Sequence, residues 1–247
     1  MKAVLEVHSV TKSFGGLIAV NNFSMEVRER EIVGLIGPNG AGKTTLLNLV
    51  TGFLKPDKGR IVFMGEEITG LPPHKICIKG VARTFQLIKP FPKLSILDAI
   101  AVGALVRVRS KVEAYKRAHE VIEFLGLKNP HRLCESLNVV EEKLVELGRA
   151  LATNPKLLLI DEIAAGLRPS EVEDIKRVIR VIRDEYNVSI VVVEHVMPLV
   201  MGVSDRIVVM SSGSKVTEGK PEEVASNPKV ISIYLGERRG RMLGVKS

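Results

Sequence analysis

The run Gly37-Pro38-Asn39-Gly40-Ala41-Gly42-Lys43-Thr44, continued by Thr45, has the spacing Gly-x4-Gly-Lys-Thr. Glycines at these offsets let backbone N–H groups turn inward around phosphate oxygens, and a helix opening at Gly42 adds positive potential there. Lys43 then brings a point charge to the β- and γ-phosphates of a nucleotide, and the Thr44 hydroxyl is placed for Mg²⁺. A second cluster, Leu157-Leu-Leu-Ile160-Asp161-Glu162, ends four apolar residues in two acids. The first can hold Mg²⁺ through water, and Glu162 beside it can polarise an attacking water. His195 ends the strand 189–194, where its side chain can reach a γ-phosphate. Phe14, just before Gly15-Gly16, is an aromatic available to stack on adenine.

These groups need strands that stop at one edge and helices that start there. Residues 31–36 form a compact apolar strand running into the glycine loop, and 42–50 reads as helix. The opening alternates as strands do at Val4, Leu5 and Val7, turns at Gly15-Gly16, and resumes over 23–27; 60–63 is another strand. Strands return at 157–160, 189–193 and 206–210. Ser170 with Glu173 predicts a capping box opening the helix between the first two, with an inward stripe of Val172, Ile175, Val178, Ile179 and Ile182. Strand, helix and strand in alternation imply a mostly parallel sheet covered by helices. From Pro90 to Leu151 the pattern is helical: Ser95 with Asp98 caps a helix through Val106, and 111–125 follows a 3.6-residue period. The expected fold is therefore α/β: a P-loop NTPase core with an antiparallel N-terminal part and an inserted helical lobe. The division is 1–86 and 150–225 for the nucleotide-binding lobe, 87–149 for the helical lobe, and 226–247 for a C-terminal extension.

Bulk properties bound the function. The chain has 247 residues, enough to bury a real core. Cys77 and Cys134 cannot make a disulfide framework and lie in no metal-ligand spacing, so both read as reduced core thiols suited to a cytosolic compartment. The longest apolar runs are broken by Asp98, Glu194 and His195, too short for the ~20 residues of a membrane span, and the first ten residues lack signal-peptide anatomy. The net charge of +8 is scattered and dense only at 237–241, which argues against a nucleic-acid groove.

The order of Phe14, phosphate loop, Gln86 (the only glutamine), helical lobe, Asp161-Glu162 and His195 resembles the ATPase subunit of ATP-binding cassette transporters along essentially the whole chain. More narrowly, Ile88-Lys-Pro-Phe91-Pro-x-Leu-Ser-Ile-Leu-Asp98, Ala165-Gly-Leu-Arg-Pro169, Glu194-His-Val-Met197 and Ile233-Tyr-Leu-Gly236 resemble the branched-chain amino-acid importers. The resemblance implies ATP and Mg²⁺, with Gln86 as a metal and catalytic residue where the two lobes join. It also implies two ATPase subunits enclosing two ATPs, a membrane permease, and an extracytoplasmic solute-binding protein that loads it. The subunit would then sit in the cytoplasm, peripheral on the inner face of the membrane. One departure is large. The family's Leu-Ser-Gly-Gly-Gln is here Leu137-Asn138-Val139-Val140-Glu141, which keeps a helix cap and loses both glycines. A smaller one is Ile163 where the family usually has Pro. The altered signature favours a different subunit as partner over a second copy. Two alternatives stay open: the ATPase of a lipid or lipopolysaccharide exporter, whose ending is similar, and a nucleotide-binding regulatory module with little turnover.

Overall fold

The computed structural model describes residues 2–85 and 91–234. Gln86 therefore lies outside the described residues, as does the basic run at 237–241. Two long strands, β1 (Ala3–Phe14) and β2 (Leu17–Arg28), pair antiparallel across the Gly15-Gly16 turn. With β4 (Lys58–Phe63) and β5 (Glu66–Glu67) they make a four-stranded sheet in the order β2-β1-β4-β5. The second sheet carries β3 (Ile32–Ile36), β6 (Val81–Arg83), β7 (Leu157–Asp161), β8 (Ser189–Val193), β9 (Arg206–Ser211) and β10 (Ser214–Gly219). Its order is β10-β9-β3-β8-β7-β6, parallel throughout except for the β9–β10 hairpin.

Every residue of β3, β7 and β8 is buried, as expected of parallel strands covered on both faces. Alternate side chains of these strands enter two different cores. Ile32, Leu158, Ile160, Ile190 and Val192 join the core shared with the helical segment. Val33, Leu35, Leu157, Leu159, Val191 and Val193 join the core beneath the antiparallel sheet. The central sheet is thus a wall between two packed layers.

Helix α1 (Lys43–Val50) leaves the phosphate loop, and α2 (Pro73–Lys79) precedes β6. Helices α3 (Ile96–Ala104), α4 (Lys111–Phe124) and α5 (Val139–Ala152) pack on one another around Ile96, Ile100, Ala118, Val121, Leu147 and Leu151. Ser95 caps α3 as its spacing predicts, accepting the Asp98 amide at 3.0 Å; the helix closes at Ala104, two residues short of expectation. Helix α6 (Pro169–Glu185) buries Val172, Ile175, Ile179 and Ile182 of the anticipated stripe and packs the partly buried Val178 against the same core, but not behind the anticipated cap. It begins at Pro169, whose fixed φ suits the first helical position. Glu171 therefore accepts the Arg168 amide at 2.7 Å, while Glu173 pairs with Lys176. Two short helices, α7 (Met197–Val203) and α8 (Pro221–Ala225), follow β8 and β10. No helix among the described residues is long and apolar enough to cross a membrane. Cys134 is a buried thiol as expected, whereas Cys77 is half-buried, because it lines a surface groove between α2 and α3.

Candidate active site

Strands β3, β8 and β7 are neighbours, and their C-terminal ends are level, with Leu35 and Asp161 both opposite Val193. Parallel α/β sheets present ligand sites at this edge. The phosphate loop leaves β3, Glu194 and His195 leave β8, and Glu162 follows β7. The loop, Glu162 and His195 converge on one cleft of about 1040 Å³. The cleft is lined by the whole 37–45 loop together with Phe14, Glu162 and His195. Phe14 stands 44% exposed at its mouth.

Two glycines of the loop, Gly37 and Gly42, answer to close approach. A Cβ on Gly37 would stand 2.0 Å from the Met210 carbonyl oxygen. At Gly42 the backbone has φ 103° and a Cβ would lie 2.3 Å from the Ala19 carbonyl, so only glycine turns the chain into α1 here. Lys43 curls over the loop, its Nζ donating to the carbonyls of Gly37 at 2.7 Å and Pro38 at 3.0 Å. That places a cation over the hollow that the loop amides surround.

Asp161 sits behind the cleft, 2% exposed. Its Oδ2 accepts from Arg83 Nη2 at 2.8 Å, and its amide donates to Thr84 Oγ1 at 3.1 Å. Its Oδ1 is buried without a hydrogen-bond partner among the described residues. An orphaned buried carboxylate oxygen is costly unless something cationic or protic completes it. With the Thr44 hydroxyl at the start of α1, this oxygen fits a Mg²⁺ site. Glu162 has φ 50°, an uncommon conformation for a residue with a side chain. Its amide donates to the Val193 carbonyl at 2.9 Å, which ties the turn after β7 to the end of β8. The Glu162 carboxylate lies 3.9 Å from His195 Nδ1.

Beneath these two residues runs a buried polar link that the sequence reading did not single out. Glu194, 1% exposed, accepts the Ala164 amide at 2.6 Å through Oε1 and the His195 amide at 3.2 Å through Oε2. Burial pushes its carboxyl above the ordinary range, against the opposing pull of the Ala164 and Val196 amides. Lys143 of α5 reaches in from the other side, its Nζ donating to the Glu162 carbonyl at 3.3 Å. Burial holds its ammonium below the usual lysine range, against the charges of Glu194 and Glu162. The available signal was an acid closing a wholly apolar strand, a position that obliges it to find buried partners. Arg83 also escaped notice, although it stands in the same run as Gln86.

Residues 137–141 do not line the cleft. Asn138 caps α5 as expected: its side chain accepts the Glu141 amide at 3.0 Å, and Glu141 Oε2 accepts the Asn138 amide at 3.0 Å. The exposed Val139 covers the first turn, where the family pattern has glycine.

Residues 20–165 match the family model described as ABC transporter, and residues 214–239 match the model for branched-chain amino acid ATP-binding cassette transporters. The chain is 41% identical to the high-affinity branched-chain amino acid transport ATP-binding protein BraF of Pseudomonas aeruginosa, over 96% of this chain and 99% of the relative. Among solved structures, an ATP-binding cassette of an ABC transporter in its ADP conformation superposes with a TM-score of 0.87 at 32% identity, covering 96% of this chain and 100% of the other. A dimeric bacterial ABC transporter cassette superposes with a TM-score of 0.80 at 25% identity, over 88% and 98% of the two chains.

Proposed function

This chain belongs to the ABC transporter family of ATP-binding cassettes, and on that premise we propose that it is the ATP-hydrolysing subunit of an importer for branched-chain or other hydrophobic amino acids. The observation that carries the reading is one cleft that gathers the phosphate loop, Glu162 and His195 in a chain 41% identical, over 96% of its length, to a branched-chain amino acid transport ATP-binding protein. The lipid-exporter alternative rested on the ending, and that segment matches the branched-chain group instead. A switch without turnover is disfavoured by the presence of both Glu162 and His195 at the cleft.

In this reading Phe14 offers its exposed ring to adenine, and Lys43 exchanges the Gly37 and Pro38 carbonyls for phosphate oxygens. The residues that would hold Mg²⁺ are Thr44 and Asp161 through its open Oδ1, with Gln86 added by the resemblance. When bound, the metal neutralises phosphate charge that would repel an incoming water. Glu162 polarises that water, and His195 beside it orients the Glu162 carboxylate and the γ-phosphate.

The subunit works as one of a pair, docked on a membrane permease from the cytoplasmic side, and the permease is loaded by an extracytoplasmic solute-binding protein. A groove of about 360 Å³ between the core and residues 96–152, lined by Phe53, His74, Phe85, Val102 and Val106, suits an apolar segment of that permease. Asn138, Val139 and Val140 would weaken any site they face, which favours pairing with a different ATPase. Hydrolysis would then concentrate at the site built on this chain's own loop.

The test is reconstitution with the permease in proteoliposomes and uptake of labelled leucine. Glu162→Gln should keep ATP binding and lose about 10²–10⁴-fold in hydrolysis, with uptake falling in step. ATP turnover within twofold of the unaltered complex would overturn the assignment of Glu162, and ATP-driven lipid extraction without leucine uptake would overturn the substrate class.

A further inference from the structure

Arg83 closes the edge strand β6. Its side chain, 6% exposed, runs inward from the wall of the groove between α2 and α3. There the guanidinium forks. One amino group donates to Asp161 Oδ2 at 2.8 Å and the other to Asn48 Oδ1 at 2.6 Å, on the helix that leaves the phosphate loop. The Phe85 ring lies 5.2 Å from the guanidinium carbon and covers it. A rigid fork with two fixed donors sets both the position and the roll of its acceptors, which a flexible ammonium does not. The direction of the fork also decides which carboxylate oxygen is used. Oδ2 is taken, and Oδ1 is left buried without a partner among the described residues.

We propose that Arg83 is the positioning residue of the Mg²⁺ site: it pins Asp161 by one oxygen, presents the other to the metal, and braces this arrangement against the phosphate-loop helix through Asn48. The inference rests on the reading of Asp161 as a Mg²⁺ acid. Arg83 lines no part of the nucleotide cleft, so its loss should show in the response to metal and spare nucleotide binding in the absence of metal. Partners that orient metal ligands typically carry 10–100-fold in metal affinity.

The experiment is an equilibrium titration of the full chain with a fluorescent ATP analogue, in EDTA and across a Mg²⁺ series. Arg83→Met should bind the analogue within twofold of wild type in EDTA, yet require about tenfold more Mg²⁺ to reach its metal-tightened state. Arg83→Lys should recover part of that loss, and Asn48→Ala should lose less than Arg83→Met. Removing one member of a buried pair strands the other, so Arg83→Met combined with Asp161→Asn is measured alongside, with thermal unfolding as the check on folding. In that double variant the two metal effects should not add. Equal loss of binding with and without Mg²⁺, or additive effects in the double variant, would show a merely structural role and overturn the proposal. Tighter Mg²⁺ response in Arg83→Met would show that the guanidinium competes with the metal, which also overturns it. If Asp161→Asn alone left the Mg²⁺ response unchanged, the underlying assignment of Asp161 would fail, a result distinguishable from failure at Arg83.

Discussion

Replacing Glu194 with Gln tests whether the turns that carry Glu162 and His195 are held together from beneath. The carboxylate accepts the Ala164 amide at 2.6 Å and the His195 amide at 3.2 Å, with the Val196 amide adding to its hold. An amide of the same shape keeps one oxygen. The stronger bond to Ala164 keeps it, so the new NH₂ group faces the His195 N–H, donor against donor. One charge-assisted hydrogen bond is lost, roughly 1.5–3 kcal/mol, offset in part because a buried charge is no longer desolvated. Lys143, already pushed down by burial, loses an anion that supported its charge. If about 1.4 kcal/mol of this falls on the geometry of His195, the competent arrangement becomes about tenfold rarer. The ATPase rate of the assembled transporter should therefore drop about tenfold in kcat, with KM for ATP unchanged, because Glu194 lines no part of the nucleotide cleft. Lys143→Met combined with Glu194→Gln should lose less than the sum of the single effects. A kcat within twofold of wild type, or a loss confined to KM, would refute this reasoning.

Two further outcomes follow from the same geometry. If the ATPases form an unequal pair, Lys43→Ala should abolish nearly all hydrolysis in the purified complex while loss of the partner's equivalent lysine costs distinctly less; equal losses would refute the asymmetry. Glu146 is buried beside Arg149, and burial pushes its carboxyl above the ordinary 4.5 despite that partner. Its contribution to stability is thus fully present below pH 4.5 and is lost as pH rises through the raised folded value. Glu146→Gln removes this dependence, so its melting temperature relative to wild type should climb as pH is raised from about 4 toward 7. A flat difference would contradict it.

What the sequence reveals of this protein is what lies contiguous along it. The 37–45 loop, Asp161-Glu162 and His195 are legible because each lies at the end of a largely apolar strand, and parallel strands deliver such ends to one edge. The α5 cap was legible for the same reason, since Asn138 and Glu141 are three residues apart. Arg83 and Asp161 are 78 residues apart and Glu194 and Ala164 are 30 apart. Nothing in either local pattern states that such groups meet; only the sheet order β8-β7-β6 brings them together. The start of α6 was misplaced for a local reason: Pro169 sets φ before Ser170 can cap. Nothing local to Cys77 discloses that two helices leave a groove between them with the thiol on its wall.

The left-handed backbone at Glu162 has a bearing on how this protein can evolve. A side chain held there costs on the order of 1–3 kcal/mol, a sizeable share of a net stability of about 5–15 kcal/mol. Glycine would remove that strain in a single codon, and every lineage under pressure for heat resistance will sample the change. If Glu162 polarises the attacking water as proposed, each must discard it, because the same change deletes the carboxylate that faces the cleft. Adaptation to temperature is therefore barred from its cheapest local route at this residue and must accumulate instead in the two cores on either side of the sheet.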